Sequence, residues 1–184
     1  IQCCIMQSKS FSIICQTASL FSIGNLAEAI AMSRDPKFET FTSTMSFIIY
    51  TRIVELKHEM QKEADLLSVG FDSVTKIVKW HEYQSLGVYL KPILDFAFEI
   101  LSKISSEPCY DTNASKVAES INNLLGMISS SAEDEAPFLL SGFLSFYIEN
   151  MTNHSELRFR SLAAHFFSDL LSSSSDSLDD EFKL

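Results

Sequence analysis

The chain has 184 residues, of which 46% are hydrophobic and 21% charged, and its formal net charge is −10. This length can bury a core as one domain, and the scarcity of glycine and proline, at 5 and 4 residues, together with many hydrophobic residues at helical spacing favours an all-α protein. Basic and acidic residues number 10 and 11 in residues 1–105 but 4 and 13 in residues 106–184. Because the acidic half would repel phosphates, we expect no direct nucleic-acid contact and favour protein partners with basic surfaces.

The cysteines and the longest apolar run indicate an intracellular chain without a membrane span. The four cysteines have no metal-ligand spacing and a chain of this size needs no disulfide, so we expect reduced thiols. The compartment, nuclear or cytoplasmic, stays open. Polar residues interrupt the apolar run at 10–32, which predicts buried helices rather than a membrane span or a signal peptide.

The N-terminal half predicts two helix pairs, which begin near residues 1 and 37. Residues 1–33 form one or two helices, with a possible bend near Gly24, and the pair ends before Pro36. Residues 37–67 keep apolar residues at a spacing of three or four over about eight turns. Gly70 is then a plausible break, followed by a shorter helix over residues 74–83, with Asp72 or Ser73 as its N-cap.

Two further pairs are predicted from residues 86 and 136. Residues 86–104 and 115–129 carry apolar residues at helical spacing, and Pro92 fits only a first turn or a kink. The final pair covers residues 136–171, with an apolar face on each helix and Ser155 as N-cap of the second. Residues 172–184 are rich in serine and acidic residues, which predicts a disordered tail after a helical domain spanning 1–171.

The final pair resembles a HEAT repeat, which is a hairpin of two antiparallel helices. The resemblance lies in Leu157 and Arg158, in Leu162, Ala163 and Ala164, and in the later Phe166-Phe167 and Leu170-Leu171 pairs. The start at Pro137 and the run 157–160 also resemble the HEAT-repeat subunits of condensin, of the G type. The resemblance implies an all-α fold, a HEAT/armadillo-like α-solenoid segment of helix hairpins, and a place in a multisubunit complex, which the condensin resemblance would make a chromosome-associated one. The four predicted pairs begin roughly 36 to 50 residues apart, a range that includes the length of HEAT and armadillo repeats, about 40–47 residues.

No pattern in the chain predicts an enzyme. His58-Glu59 would need a second histidine at position 62 to form a zinc-protease motif, and that residue is Lys62. The glycines occur singly, so a phosphate-binding loop is excluded, and no nucleophile-and-base pattern is readable. We therefore predict no catalytic residue, no cofactor and no metal site.

Candidate functional residues are those suited to binding other proteins. The long helix carries charges on its outer face, an aromatic group closes the next helix, and two arginines begin the last one. These candidate partner-binding residues are Arg52, Glu55, Glu59, Lys62, Trp80, Tyr83, Arg158 and Arg160. The acidic surroundings of Ser175 and Ser177 make them candidate phosphorylation sites.

The sequence thus predicts a non-enzymatic scaffold, or adaptor segment, of a larger intracellular protein. Its partners would be other protein subunits and the flanking repeats of the same chain, without a membrane. Two alternatives stay open. One is a compact helical bundle that binds a small apolar ligand or serves as an enzyme subunit, and the other is an oligomerisation domain that uses the helix at 38–67.

Overall fold

The computed structural model of the protein describes residues 12–33, 44, 47–49, 51–52, 64–80, 83–106, 112–131 and 136–181. Within these residues the secondary structure is helical, without strands, and this confirms the predicted all-α class. The helices are α1 (Ile13–Ser33), α2 (Ala64–Trp80), α3 (Tyr83–Ser106), α4 (Thr112–Ser131), α5 (Ala136–Phe146) and α6 (Leu157–Glu181). A π-helical turn, Tyr147–Met151, extends α5. Residues 47–49 and 51–52 are also helical, but most of the helix predicted at 37–67 lies outside the described residues, which resume at Ala64, the first residue of α2.

Helix α4 lies at the centre of the described core and contacts α2, α3, α5 and α6. Its apolar side is fully buried, as the spacing of the sequence predicts. The buried residues on this side are Val117, Ala118, Ile121, Leu124, Leu125 and Ile128. The apolar residues predicted to face the core from α3 are buried as well, from Leu90 to Ile104. Burial of each aliphatic side chain contributes roughly 1.5–3 kcal/mol, so these two faces supply much of the stability.

Four helices lie side by side in the order α1, α2, α4, α6, because α2 packs between α1 and α4, and α4 packs between α2 and α6. The remaining helices lie against junctions of this row. Helix α3 contacts α4 and also meets α2, where the rings of Phe96 and Phe71 stack with centroids 6.4 Å apart. Helix α5 contacts α4, and its π-helical turn contacts α6. Helices α3 and α5 meet through Phe98, whose ring centroid is 5.5 Å from that of Phe143.

Small and hydroxylated residues lie where the helices of the row approach each other most closely. A Cβ atom on Gly24 of α1 would lie 2.6 Å from Ser73 Oγ and 3.0 Å from Ser73 Cα in α2. The Ser73 hydroxyl lies 3.0 Å from the Leu20 carbonyl oxygen and 2.8 Å from that of Val69, so one proton is shared between two acceptors. At the next junction, Ser68 and Ser120 form a hydroxyl–hydroxyl hydrogen bond of 2.7 Å. These residues let the backbones approach while their polar groups remain paired.

One predicted interruption is wrong and another is not needed. Helix α1 continues through Gly24 as one helix, which is one of the two predicted outcomes, and this glycine provides the space for α2. Helix α2 continues through Gly70, and Asp72 and Ser73 lie inside it instead of capping a new helix. Buried residues on both sides of Gly70, from Leu66 to Val78, hold one continuous apolar face against the core. That burial outweighs the roughly 1 kcal/mol by which glycine disfavours a helix interior.

Three leucines assigned to the core by the sequence are exposed instead. Leu157 and Leu171 are both 72% exposed and Leu144 is 39% exposed, since each lies on a side of its helix that no described helix covers. Pro92 lies inside α3, beyond its first turn, so of the two predicted placements the kink is the one that stays a prediction. Helix α6 continues to Glu181, past the predicted end at Leu171. The disorder predicted for residues 172–184 stays a prediction.

Candidate functional site

A chain of aromatic rings joins α3, α5 and α6. Phe98 lies at its outer edge, and its ring is perpendicular to that of Phe143 and 5.4 Å from that of Phe146. Phe146 contacts Tyr147 at 5.9 Å, and Tyr147 stacks on Phe166 of α6 with centroids 4.5 Å apart. Edge-to-face and stacked pairs at these distances add roughly 0.5–1.5 kcal/mol each beyond the area they bury. The cluster is a packed wall, and only its Phe98 edge reaches the surface.

Tyr147 is the most deeply buried polar side chain of this wall. Its ring is fully buried, and its hydroxyl donates a 3.1 Å hydrogen bond to Oδ1 of Asn122, a buried residue of α4. Burial raises the pKa of Tyr147 well above its ordinary value of 10.0, because the low-dielectric core disfavours the phenolate. The pair therefore positions α5 against α4 as a neutral hydrogen bond and offers no general base near neutral pH.

The π-helical turn places Tyr147 and Met151 on the buried side of the chain. Its backbone bond runs from the Thr152 amide to the Tyr147 carbonyl at 3.0 Å. Two polar side chains bond to the backbone here: the Asn150 amide donates to the Phe146 carbonyl at 3.2 Å, and the Thr152 hydroxyl to the Ile148 carbonyl at 2.7 Å. The apolar spacing continues unbroken through this region, so the sequence does not predict the turn. The polar residues at its end are the only hint of it.

The link between α5 and α6 is held by two of the predicted partner-binding residues. Arg160 donates to the carbonyl oxygens of His154 and Ser155, at 2.5 and 2.9 Å. Arg158 pairs with Glu156 at 2.6 Å and donates to the Ser115 hydroxyl of α4. Both guanidinium groups are therefore engaged within the chain, and their role in contacting a partner stays a prediction.

The start of α6 differs from the predicted Ser155 cap. Nδ1 of His154 accepts a 3.1 Å hydrogen bond from the Glu156 amide. The acceptor nitrogen carries no proton, so in a neutral ring the proton lies on Nε2. The imidazole also packs edge-on against Phe159, with centroids 4.5 Å apart. This histidine thus has a structural role at the helix start.

Of the remaining candidate residues, Arg52 is the one whose side chain the structure describes. Arg52 is half-buried and donates to the Gln16 side chain of α1, whereas the sequence placed it on the outer face of the long helix. Trp80 ends α2 and Tyr83 begins α3, and their side chains lie outside the described part. Glu55, Glu59 and Lys62 lie outside the described residues. Ser175 and Ser177 lie in α6, but their side chains are not described.

Helix α5 and its π-helical turn expose two large apolar side chains on a side that no described helix covers. Phe138 is 85% exposed and Ile148 is 52% exposed, with Ser141, Gly142 and Ser145 exposed between them. A Cβ atom on Gly142 would meet nothing within 4 Å, so this side of the helix is open. We call these five residues the α5 face. Two large apolar side chains at the ends of a shallow stretch of small residues suit contact with another protein rather than chemistry.

Two further properties of the described residues concern metal binding and membrane spans. No group of three or more histidine, cysteine or acidic side chains there is arranged to hold a metal ion. One described helix is long and apolar enough to cross a membrane, judged by length and composition only: the window Ile13–Ile30 in α1, with a mean hydropathy of 1.3 and 33% of it buried. The core helix of a soluble protein and a signal sequence meet the same criterion.

Comparison with known proteins identifies no relative. No family model, curated protein or solved structure matches the chain. The resemblance to HEAT repeats and to condensin subunits therefore has no support beyond the residues of the final helix pair.

Proposed function

We propose that the chain is a non-enzymatic scaffold of the HEAT/armadillo-like type, which binds other proteins through the α5 face. The observation that carries the proposal is the exposure of Phe138 and Ile148 on a helix whose opposite side is anchored by Tyr147 and Phe146. A rigidly held helix that presents large apolar side chains is suited to binding a partner, since little conformational entropy is lost on association.

The staggered packing of the described helices supports the solenoid part of the proposal. Helices α1, α2, α4 and α6 form a row, α3 lies against the α2–α4 junction, and α5 with its π-helical turn lies against α4 and α6. Stacked hairpins bury a continuous core between neighbouring units in this way. A partner with a basic rim around an apolar centre would complement both the α5 face and the acidic C-terminal half.

The experiment is crosslinking and affinity capture of the full-length protein from its own cells, read by mass spectrometry. We expect a small set of recurrent protein partners for the wild type, and their loss in the double variant Phe138→Ser/Ile148→Ser. The matched control is Leu171→Ser, which removes an equally exposed apolar residue from α6 and should retain the partners.

The opposite results identify the alternatives. Recovery of the same partners with the double variant would exclude the α5 face as the binding surface. If a small molecule co-purifies and no protein recurs, the chain is instead a ligand-binding bundle, and the scaffold proposal is wrong.

A further inference from the structure

Helix α1 carries a second exposed apolar surface, on the side opposite to its core contacts. Its inner side buries Leu20, Ile23 and Ala27. Its outer side exposes Ile14 (81%), Phe21 (53%) and Met32 (60%). Ala18, Asn25 and Ala29 are exposed between them. We call these six residues the α1 stripe.

The α1 stripe is continuous and almost free of charge. Its members follow each other at intervals of three or four residues, so they line one side of the helix over a length of about 27 Å at 1.5 Å per residue. The one charged residue of α1, Glu28, is half-buried and is not a member of the stripe. A helix that is apolar on both sides is normally covered on both sides.

The order of residues along the stripe is close to a palindrome. The large residues Ile14 and Met32 end it, and the small residues Ala18 and Ala29 come next. Phe21 and Asn25 lie on either side of the midpoint. When two such helices pack antiparallel about a two-fold axis, Ile14 faces Met32 of the other copy and Ala18 faces its Ala29. This is the self-complementarity that a two-fold interface requires.

Charge favours the same arrangement. The net charge of −10 makes two copies repel each other, and 13 of the acidic residues but only 4 basic ones lie in residues 106–184. Helices α1 and α6 occupy opposite ends of the row, so contact through α1 keeps the acidic halves apart. The outer side of α6 carries Arg160, Ser161, His165 and Ser168 between its exposed leucines, Leu157 and Leu171, so a head-to-tail contact would place these polar residues against the centre of the apolar stripe.

We propose that a second copy of this chain covers the α1 stripe, in an antiparallel, two-fold symmetric dimer. Lys76 of α2 borders the interface, with its Nζ atom 4.7 Å from the centroid of the Phe21 ring and bonded to the Asn25 side chain. The inference concerns α1 alone and holds whether or not the α5 face binds a partner.

Sedimentation velocity of the full chain over a range of micromolar concentrations tests the proposal. We expect a dimer for the wild type, and for Phe21→Glu a dissociation constant raised at least about 100-fold, because the change replaces the large apolar ring on each side of the two-fold axis by a carboxylate that association would desolvate. The control Phe138→Glu adds the same charge on the α5 face and should leave the dimer intact. Circular dichroism verifies folding, and if Phe21→Glu unfolds the chain, Met32→Glu provides the same test at the end of the stripe.

A charge-pair experiment tests the symmetry itself. Phe21→Glu and Phe21→Lys should each be monomeric alone, and an equimolar mixture should restore a dimer that contains one copy of each. A monomeric wild type would overturn the proposal. If this monomer co-sediments with phosphatidylcholine vesicles, the stripe binds lipid instead of a second copy, and the proposal is overturned as well. A dimer that survives Phe21→Glu, a dimer lost in Phe138→Glu, or a mixture that stays monomeric would overturn it too.

Discussion

Single glycines of this chain have opposite roles, and these roles are set by what lies above each Cα atom. Gly24 lies against Ser73 of the neighbouring helix, with Ser73 Cα 3.0 Å from the site of a Cβ atom, whereas Gly142 faces open space. We expect Gly24→Ala to lower the free energy of unfolding by about 1–3 kcal/mol, because α1 and α2 must move apart and the Ser73 bond to Leu20 is strained. Chemical denaturation measures the loss.

The matched variant Gly142→Ala should instead raise the free energy of unfolding, by roughly 0.5–1 kcal/mol. It adds a methyl group to an exposed helix position and removes the conformational freedom of glycine from the unfolded chain. Equal effects of the two substitutions would contradict the close approach of α1 and α2.

Tyr147 gives a second residue-scale prediction, which involves pH. Tyr147→Phe should lower the free energy of unfolding by about 1–3 kcal/mol near neutral pH, because Asn122 keeps its buried amide and loses its donor. The double variant Tyr147→Phe/Asn122→Leu should recover part of that loss, since both polar groups are then removed. Denaturation curves of the three proteins provide the comparison.

The pH dependence follows from the direction of the pKa shift. The folded pKa of Tyr147 is raised above the unfolded value of 10.0, so its contribution is fully present below that value and is lost as the pH rises above it. The stability difference between wild type and Tyr147→Phe should therefore shrink as the pH rises above about 10. A constant difference over that range would show that Tyr147 ionises as freely in the folded chain as in the unfolded one.

At the scale of the helix, the π-helical turn predicts where α5 tolerates a deletion. A π-helical turn accommodates one residue more than an α-helical turn, so removal of the exposed Glu149 can restore a regular helix and leave the following residues in place. Deletion of the exposed Ser145, in the regular part, rotates Phe146 and Tyr147 by about 100° relative to Phe143. We expect a loss of less than about 1.5 kcal/mol for the first deletion and more than about 3 kcal/mol for the second.

Thermal unfolding followed by circular dichroism compares the two deletions. Similar losses for both would mean that the π-helical turn does not absorb an additional residue, and that the register of Met151 depends on Glu149.

The apolar faces of α3 and α4 were predictable from the sequence, since apolar residues recur at every third or fourth position and neighbouring helices cover these faces. The role of Gly24 was not predictable, because Ser73, for which it leaves space, lies in another helix. The unbroken course of α2 through Gly70 was not predictable either, because it depends on buried residues on both sides of this glycine. The α5 face was missed for a related reason: Phe138 reads as core by composition, and exposure depends on which side lacks a neighbour.

For the whole molecule, the uneven charge and the long α6 make a prediction about the C-terminus. Among the residues of α6 whose burial is described, which end at Ser172, the last buried one is Phe166, so we expect a chain that ends at Ser172 to keep its stability within about 0.5 kcal/mol. This chain lacks the acidic residues Asp176, Asp179, Asp180 and Glu181 and should therefore lose part of its affinity for basic partners at low salt.

Circular dichroism of the same truncated chain tests the predicted disorder of residues 172–184. Helix α6 extends to Glu181. If these residues are helical in solution as well, the helical signal per molecule should fall when they are removed. An unchanged signal would support the disordered tail, and a large loss of stability would show that the tail packs on the core.

The position of α1 in the row has a consequence for how the protein is made. During synthesis α1 emerges before α2 and is apolar on both sides, while α2, which covers its inner side, is complete only at Trp80. At about 5–20 residues per second, the 47 residues from Ser33 to Trp80 take roughly 2–10 s. For that time the nascent chain exposes a sticky segment, which makes it a substrate for chaperones at the ribosome. Slow codons between these two helices should therefore lower the yield of soluble protein, although they leave the sequence unchanged.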